Sequence, residues 1–291
     1  MVTLAEIHKE FTGFLEKEDR AQATILAYGT DIKQLIDFVV GQGKPKPQQI
    51  TYEDLQAFLE SLESGGYTKK SISRKINSIR TFFRFLKSRN YISEDPASRL
   101  THPKLEAQPP RILSEMEYRA LRDVCREDKR MYAIVELLLQ TGIRIGELRE
   151  IRLQNVKFTN NNEDKGALTI RSSHRRPERV VPLNQAAQRA IKDYLTVRPK
   201  TDSEILFVTK PGNPFLIRNI RASLNRYFGR AGVKDSTVND LRHTFVAHHL
   251  EQGADVAYIS KLVGHKRLTS TERYLEYVER PEEETRELEE L

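Results

Sequence analysis

Between Glu63 and Glu94 the chain carries no acidic residue, yet Lys69, Lys70, Arg74, Lys75, Arg80, Arg84, Lys87 and Arg89 all fall inside that stretch. Its apolar residues Ile72, Ile76, Ile79, Phe83 and Leu86 recur at helical spacing, while Lys70, Arg74, Asn77, Arg80, Arg84 and Lys87 gather on the opposite side. Such a segment folds as a helix with one packed face and one positive face, and the packed face needs other helices to cover it. A solvated surface is the ordinary use of these charges; an acid-free run this long makes a phosphate-contacting face an equal reading. Residues 3 to 17, 21 to 40 and 51 to 63 also read as helices, separated by the Gln42 to Pro47 stretch and by Gly65-Gly66. The first hundred residues are therefore expected to be all-helical.

The next stretch, THPKLEAQPPRI over residues 101 to 112, holds three prolines and no periodicity, which marks an extended linker. At 291 residues the chain is long enough for about two domains. The expected division is a helical domain over 1–104, a linker over 105–112, a second domain over 113–278 and an acidic tail over 279–291. The charge is as uneven as the texture. The net charge of +7 resolves into −5 for the tail from Glu279 onward and +12 for everything before it, so the body suits a polyanionic partner.

Several classes are excluded. No apolar run approaches the roughly 18 residues of a membrane span, and the opening MVTLAEIHKE lacks the basic-then-apolar order of a secretory signal, so a cytoplasmic protein without a membrane partner is expected. A single cysteine, Cys125, rules out an internal disulfide or a CxxC metal or redox pair, and its expected place is a buried helix position. His243, His248 and His249 are spaced five and one apart rather than at the i, i+4 interval of a zinc-binding HExxH helix, so packing or hydrogen bonding is their expected use. Phosphate-loop and dinucleotide glycine patterns are absent, and no metal site or other cofactor is expected.

Beyond the linker, helices are expected near 114 to 126, 130 to 140, 184 to 197 and 214 to 230. Two β-branched runs, GALTIRS (166 to 172) and ERVVPL (178 to 183), flank a polar turn and read as a hairpin. The 214 to 230 segment carries Arg218, Arg221, Arg226 and Arg230, a second candidate basic face. Arg144 follows Gly142 at a helix start, where Ile145, Leu148 and Ile151 form an apolar stripe that leaves Arg144 and Glu147 on another face. Arg242 lies on a helix opened by Ser236 or Thr237, with Val238, Leu241 and Phe245 as its buried stripe. Gly264 ends the preceding helix, so His265 emerges from a turn. Thr269 and Glu272 have capping-box spacing, which would open a helix with Tyr274 on its second turn.

The order and spacing of TGIRIGEL (141 to 148), the hairpin, TVNDLRHTF (237 to 245) and LVGHKRLTSTERYLEY (262 to 277) resemble the catalytic domain of tyrosine recombinases, the integrase and Xer group. The likeness spans roughly residues 110 to 278, and the helical first domain is consistent with the family's core-binding domain. It implies a mainly α fold, with a SAM-like helical domain and a mostly helical catalytic domain holding a small antiparallel sheet. The activity implied is site-specific breakage and rejoining of duplex DNA without metal or ATP. Arg144 and Arg242 would clamp the phosphate, because planar guanidiniums bind non-bridging oxygens as charge builds. His265 would assist, and Tyr274, nine residues after His265, would be the nucleophile that stores the bond as a 3′-phosphotyrosine. Tyr258 and Tyr277 miss that register.

Two positions depart from the family pattern. Asn239 stands where the His-x-x-Arg pair has histidine; it can bond a phosphate oxygen but cannot transfer a proton near neutral pH, so that task moves elsewhere, with His265 as a candidate. The family's hairpin lysine, thought to protonate the departing 5′-oxygen, aligns with His174 when counted back from Arg179 to Leu183, and nearer Ser173 when counted forward from Gly166. Arg175, Arg176 and Lys165 compete with it; a histidine can donate that proton, whereas an arginine stabilises charge. Lys70, Arg74, Arg80, Arg84, Lys87, Arg218, Arg221 and Asn239 are the expected DNA contacts. By the same resemblance, the tail would dock on a neighbouring protomer within a tetramer on two duplexes.

A type IB topoisomerase-like relaxing enzyme and a DNA-binding protein without catalysis are the competing readings. Chromosome-dimer resolution, element integration and resolution of transposon cointegrates all fit the family. The compact size mildly favours a Xer-like or resolvase role.

Overall fold

The computed structural model describes residues 3–106, 108–159, 166–172 and 176–279. The chain divides into two compact units, Met1–Ala107 and Gln108–Leu291. The division falls inside the proline-bearing stretch at 101 to 112.

The first unit is built from α1 (Leu4–Lys17), α2 (Gln22–Gly41), α3 (Tyr52–Ser64) and α4 (Lys69–Ser88). Each of α1 and α3 opens with a reciprocal cap, Thr3 with Glu6 and Thr51 with Asp54, which satisfies backbone donors that a helix start leaves free. Ile7, Phe11 and Leu15 of α1 meet Ile76, Ile79, Phe82, Phe83 and Leu86 of α4 in one core, where the Phe11 and Phe82 rings cross edge-to-face at 5.2 Å. The apolar stripe expected for α4 is thus its buried face.

The basic face of α4 is less free than its sequence suggests. Asp31, buried on α2, accepts hydrogen bonds from Arg74 (Nη2 at 2.9 Å), Lys75 (2.9 Å) and Ser78 (2.7 Å). A buried carboxylate requires such partners, so the Arg74 charge is tied to the fold. Arg80 donates to the Leu100 carbonyl. Lys70, Arg84 and Lys87 remain exposed.

The second unit runs through α5 (Glu115–Cys125), α6 (Lys129–Thr141), α7 (Ile145–Glu150), a three-stranded sheet, α8 (Gln185–Leu195), α9 (Ile217–Arg230), α10 (Val238–Glu251), α11 (Val256–Val263) and α12 (Thr269–Glu272), ending in a 3-10 turn, Arg273–Tyr277. The strands β1 (Val156–Lys157), β2 (Gly166–Ile170) and β3 (Arg179–Leu183) pair antiparallel in that order. Leu168 lies opposite Val181 and Ile170 opposite Arg179. α6 is buried on nearly every side, with Met131, Ala133, Ile134, Val135, Leu137 and Leu138 all in the core, and Cys125 packs beside it at the end of α5.

Three local expectations change. β1 has two residues, too few for alternation to reveal. α9 opens at Ile217 rather than near 214, because Pro214 bridges Val208 and the Phe215 N–H bonds the Phe207 carbonyl, holding that stretch extended. Thr269 does not cap α12 with its side chain: Leu268 is the cap residue, Thr269 is the first helical position, and Tyr274 lies on the 3-10 turn. Among the described residues no helix is long and apolar enough to cross a membrane.

Candidate active site

Three loops and one helix gather the residues. α6 ends at Gly142, whose left-handed backbone (φ +59°) turns the chain toward Arg144, the cap residue of α7. A Cβ on Gly142 would sit 2.4 Å from the Phe245 ring, so this position has room for hydrogen alone. The Gly142 carbonyl in turn accepts from Arg242 Nη1 at 2.5 Å, fixing α10 to the loop.

Arg144 and Arg179 share one carboxylate. Arg179 donates to both oxygens of Glu147, Nη1 to Oε1 at 3.0 Å and Nη2 to Oε2 at 2.8 Å, with both side chains 9% exposed. Arg144 donates its backbone N–H to Oε2 (2.9 Å) and Nη1 to Oε1 (3.1 Å). The same two guanidiniums cover the free carbonyls at the end of α11: Arg179 Nε bonds Leu262 (2.8 Å), Arg144 Nη1 bonds Val263 (3.1 Å) and Arg144 Nη2 bonds Gly264 (2.7 Å). Cations at a helix C-terminus meet its negative end. Burial works against the Glu147 charge, but the bonds from Arg179 and from the Arg144 N–H outweigh it and hold the carboxyl at about 2.

Arg242 is 7% exposed, and its Nη2 is buried without a hydrogen-bond partner among the described residues. Burial first, and then the charge of Arg144, push its guanidinium down to about 9, which still leaves it charged at neutral pH. Such an orphaned donor, beside the charge of Arg144, is a hydrogen bond left open to an anion.

Gly264, also left-handed (φ +67°), delivers His265 from the end of α11 as its sequence implies. His265 Nδ1 lies 2.7 Å from Thr271 Oγ1. Burial and the charges of Arg242 and Arg144 drive its imidazole down to about 3, so the ring is neutral and offers a hydrogen bond without carrying charge.

Tyr274 is 2% exposed, whereas Tyr258 and Tyr277 are 54% and 39% exposed. Its hydroxyl is hydrogen-bonded to His243 Nδ1. Burial raises its phenol above the ordinary value, opposed by the charges of Arg273 and Arg242. Arg144, Arg242, His265 and Tyr274 therefore lie in one electrostatic neighbourhood.

Other expected residues fall differently. Asn239 is exposed on α10, one turn before Arg242, and Arg218 and Arg221 are exposed on α9. His174, with Ser173, Arg175 and Lys165, lies outside the described residues, as does the tail from 280 onward. Arg176 is described and partly buried; burial first, and then the charge of Arg176, depress the Arg144 guanidinium. Arg179 and His243 were not singled out as site residues by sequence. An arginine at the head of a β-branched strand was the available signal for the first; for the second it was only adjacency to Arg242. No group of three or more His, Cys, Asp or Glu among the described residues could hold a metal ion.

The model described as "Phage integrase family" matches residues 111–279, and "Phage integrase, N-terminal SAM-like domain" matches residues 9–90. The chain is 32% identical over 277 residues to tyrosine recombinase XerC of Oceanobacillus iheyensis, covering 91% of this chain and 89% of that one. It is 31% identical over 274 residues to tyrosine recombinase XerA of Pyrococcus furiosus, covering 93% and 89%. Its fold matches a lambda integrase tetramer bound to a Holliday junction with a TM-score of 0.74 at 18% identity, over all of this chain and 80% of that one.

Proposed function

The chain belongs to the phage integrase family of tyrosine recombinases, and we propose that it exchanges DNA strands at a specific duplex site with Tyr274 as the nucleophile. The observation that carries this assignment is the unpartnered Arg242 Nη2, on a guanidinium whose charge acts on a buried tyrosine hydroxyl. A phosphodiester bound between them gives Nη2 its missing acceptor. Arg144 and Arg242 hold the non-bridging oxygens and stabilise the added charge of the pentacoordinate state. His265, whose Nδ1 is bonded to Thr271 Oγ1, has Nε2 left to hydrogen-bond the same phosphate.

Tyr274 Oη attacks phosphorus, the bond to the 5′-oxygen breaks, and the strand is held as a 3′-phosphotyrosine. A 5′-hydroxyl from the partner duplex then reverses the step on the new strand, so the bond energy is conserved without ATP. The leaving 5′-oxygen takes its proton from the hairpin, with His174 as the assigned donor and Arg176 as a neighbouring charge. Lys70, Arg84, Lys87, Arg218 and Arg221 meet the backbone of the duplex, Asn239 bonds a phosphate oxygen, and Arg74 and Arg80 serve mainly the fold of the first unit. The working assembly is a tetramer on two sites, with the acidic tail from 279 to 291 docked on a neighbouring protomer, in the cytoplasm.

The site itself is recovered by selecting bound duplexes from a random-sequence pool. A plasmid carrying two copies should then exchange the segments between them in the presence of EDTA and without ATP, and Tyr274→Phe should abolish exchange. Relaxation without exchange would support a topoisomerase instead, and binding with no covalent adduct would support a DNA-binding module.

A further inference from the structure

We propose that His243 is the base that takes the proton of the Tyr274 hydroxyl as it attacks the phosphate. This rests on Tyr274 being the nucleophile, and it assigns a task that the sequence motifs leave without an owner. Asn239 occupies the place on α10 where a histidine would otherwise serve, and an amide cannot accept a proton near neutral pH. His265 is turned to Thr271 through its Nδ1. His243 lies four residues beyond Asn239, one turn along α10, and its Nδ1 is the atom bonded to the Tyr274 hydroxyl.

The surroundings disfavour the charged form of the ring. Burial, helped by the charges of Arg273 from the final turn and Arg242 from its own helix, outweighs Asp240 and holds the His243 imidazole below its ordinary value. The ring is thus neutral when the phosphate arrives. The phenol proton passes to Nδ1, the Oη to phosphorus bond forms, and the electron pair of the broken bond leaves on the 5′-oxygen, which takes a separate proton from the hairpin side. The imidazolium returns its proton to Tyr274 when the incoming 5′-hydroxyl releases the phosphotyrosine. His243 is within hydrogen-bond reach of the proton it takes, which is the geometric condition for a general base.

The test uses the full chain on a nicked suicide duplex carrying the selected site, with adduct formation followed in single-turnover time courses. His243→Asn keeps an oxygen near the position of Nδ1 but removes its basicity. Cleavage should fall by about 10²- to 10⁴-fold, the range for losing general acid–base assistance. The same substitution in a chain whose Tyr274 is replaced by difluorotyrosine, a phenol that ionises near neutral pH, should cost less than about tenfold, because no base is then needed. With sulfur in place of the leaving 5′-oxygen the loss should persist. Unchanged cleavage by His243→Asn, an equal loss with both phenols, a loss erased by the sulfur leaving group, or faster cleavage would each overturn the assignment. If the wild-type chain forms an adduct, those outcomes leave the recombinase reading intact; no wild-type adduct would overturn both.

Discussion

Replacing Arg242 with Gln should slow covalent cleavage by about 10²- to 10³-fold, the usual cost of removing one donor aimed at developing charge, while duplex binding changes by only a few-fold. The asymmetry follows from where Arg242 sits. It is 7% exposed, one nitrogen is tied to the Gly142 carbonyl, and the other has no partner among the described residues. Its contribution is therefore made at the scissile phosphate, whereas binding draws on exposed cations spread along the duplex. The same charge has a price in the DNA-free protein, since burial depresses its guanidinium to about 9 and Nη2 has no hydrogen-bond partner among the described residues. An anion should relieve that cost. Sulfate should raise the melting temperature of the wild type by about 2–4 °C more than that of Arg242→Gln, a shift of the size expected for about 1 kcal/mol of linked binding in a protein of this length. Single-turnover cleavage and thermal melts check the two halves separately.

Glu147→Ala should destabilise the second unit by about 3–5 kcal/mol, the cost of leaving buried charges without their partner. Two guanidiniums converge on this carboxylate, and they also hold three carbonyls at the end of α11, immediately before His265. Losing it sets Arg144 and Arg179 in mutual repulsion and loosens the turn that presents His265, so cleavage should fall with stability. The pH dependence has a fixed sign. Glu147 has a folded value of about 2 against 4.5 for the free group, so it contributes stability fully above about 4.5 and loses it as pH falls from there toward 2. Urea unfolding at pH 7 and pH 3 should show a stability gap between wild type and Glu147→Gln that narrows on acidification. A gap that stays constant would separate the carboxyl from the network.

The elements were largely legible because their signals are local. The α4 stripe of Ile72, Ile76, Ile79, Phe83 and Leu86 is the buried face of that helix, and the β-branched runs at 166 and 179 pair as a hairpin. Left-handed glycines at 142 and 264 end their helices just before Arg144 and His265. What escaped the sequence was contact between distant residues. Arg179 meets Glu147 across 32 positions and His243 meets Tyr274 across 31, and no periodicity encodes either pair. Asp31 claims Arg74 from 43 positions away, which removes from the basic face a charge that composition alone would place on DNA. The side chain of Thr269 had the right spacing for a cap, yet the local hydrogen bonds run to the Leu268 carbonyl instead.

The central claim is that one particular hydroxyl carries the DNA. Trapping the covalent complex on the nicked suicide duplex, digesting it to a peptide that holds both Tyr274 and Tyr277, and fragmenting that peptide by mass spectrometry locates the attached nucleotide. The account predicts a 3′-linked nucleotide on Tyr274, the buried tyrosine bonded to His243. A nucleotide on Tyr277, a 5′ linkage, or an adduct undiminished by Tyr274→Phe would contradict it.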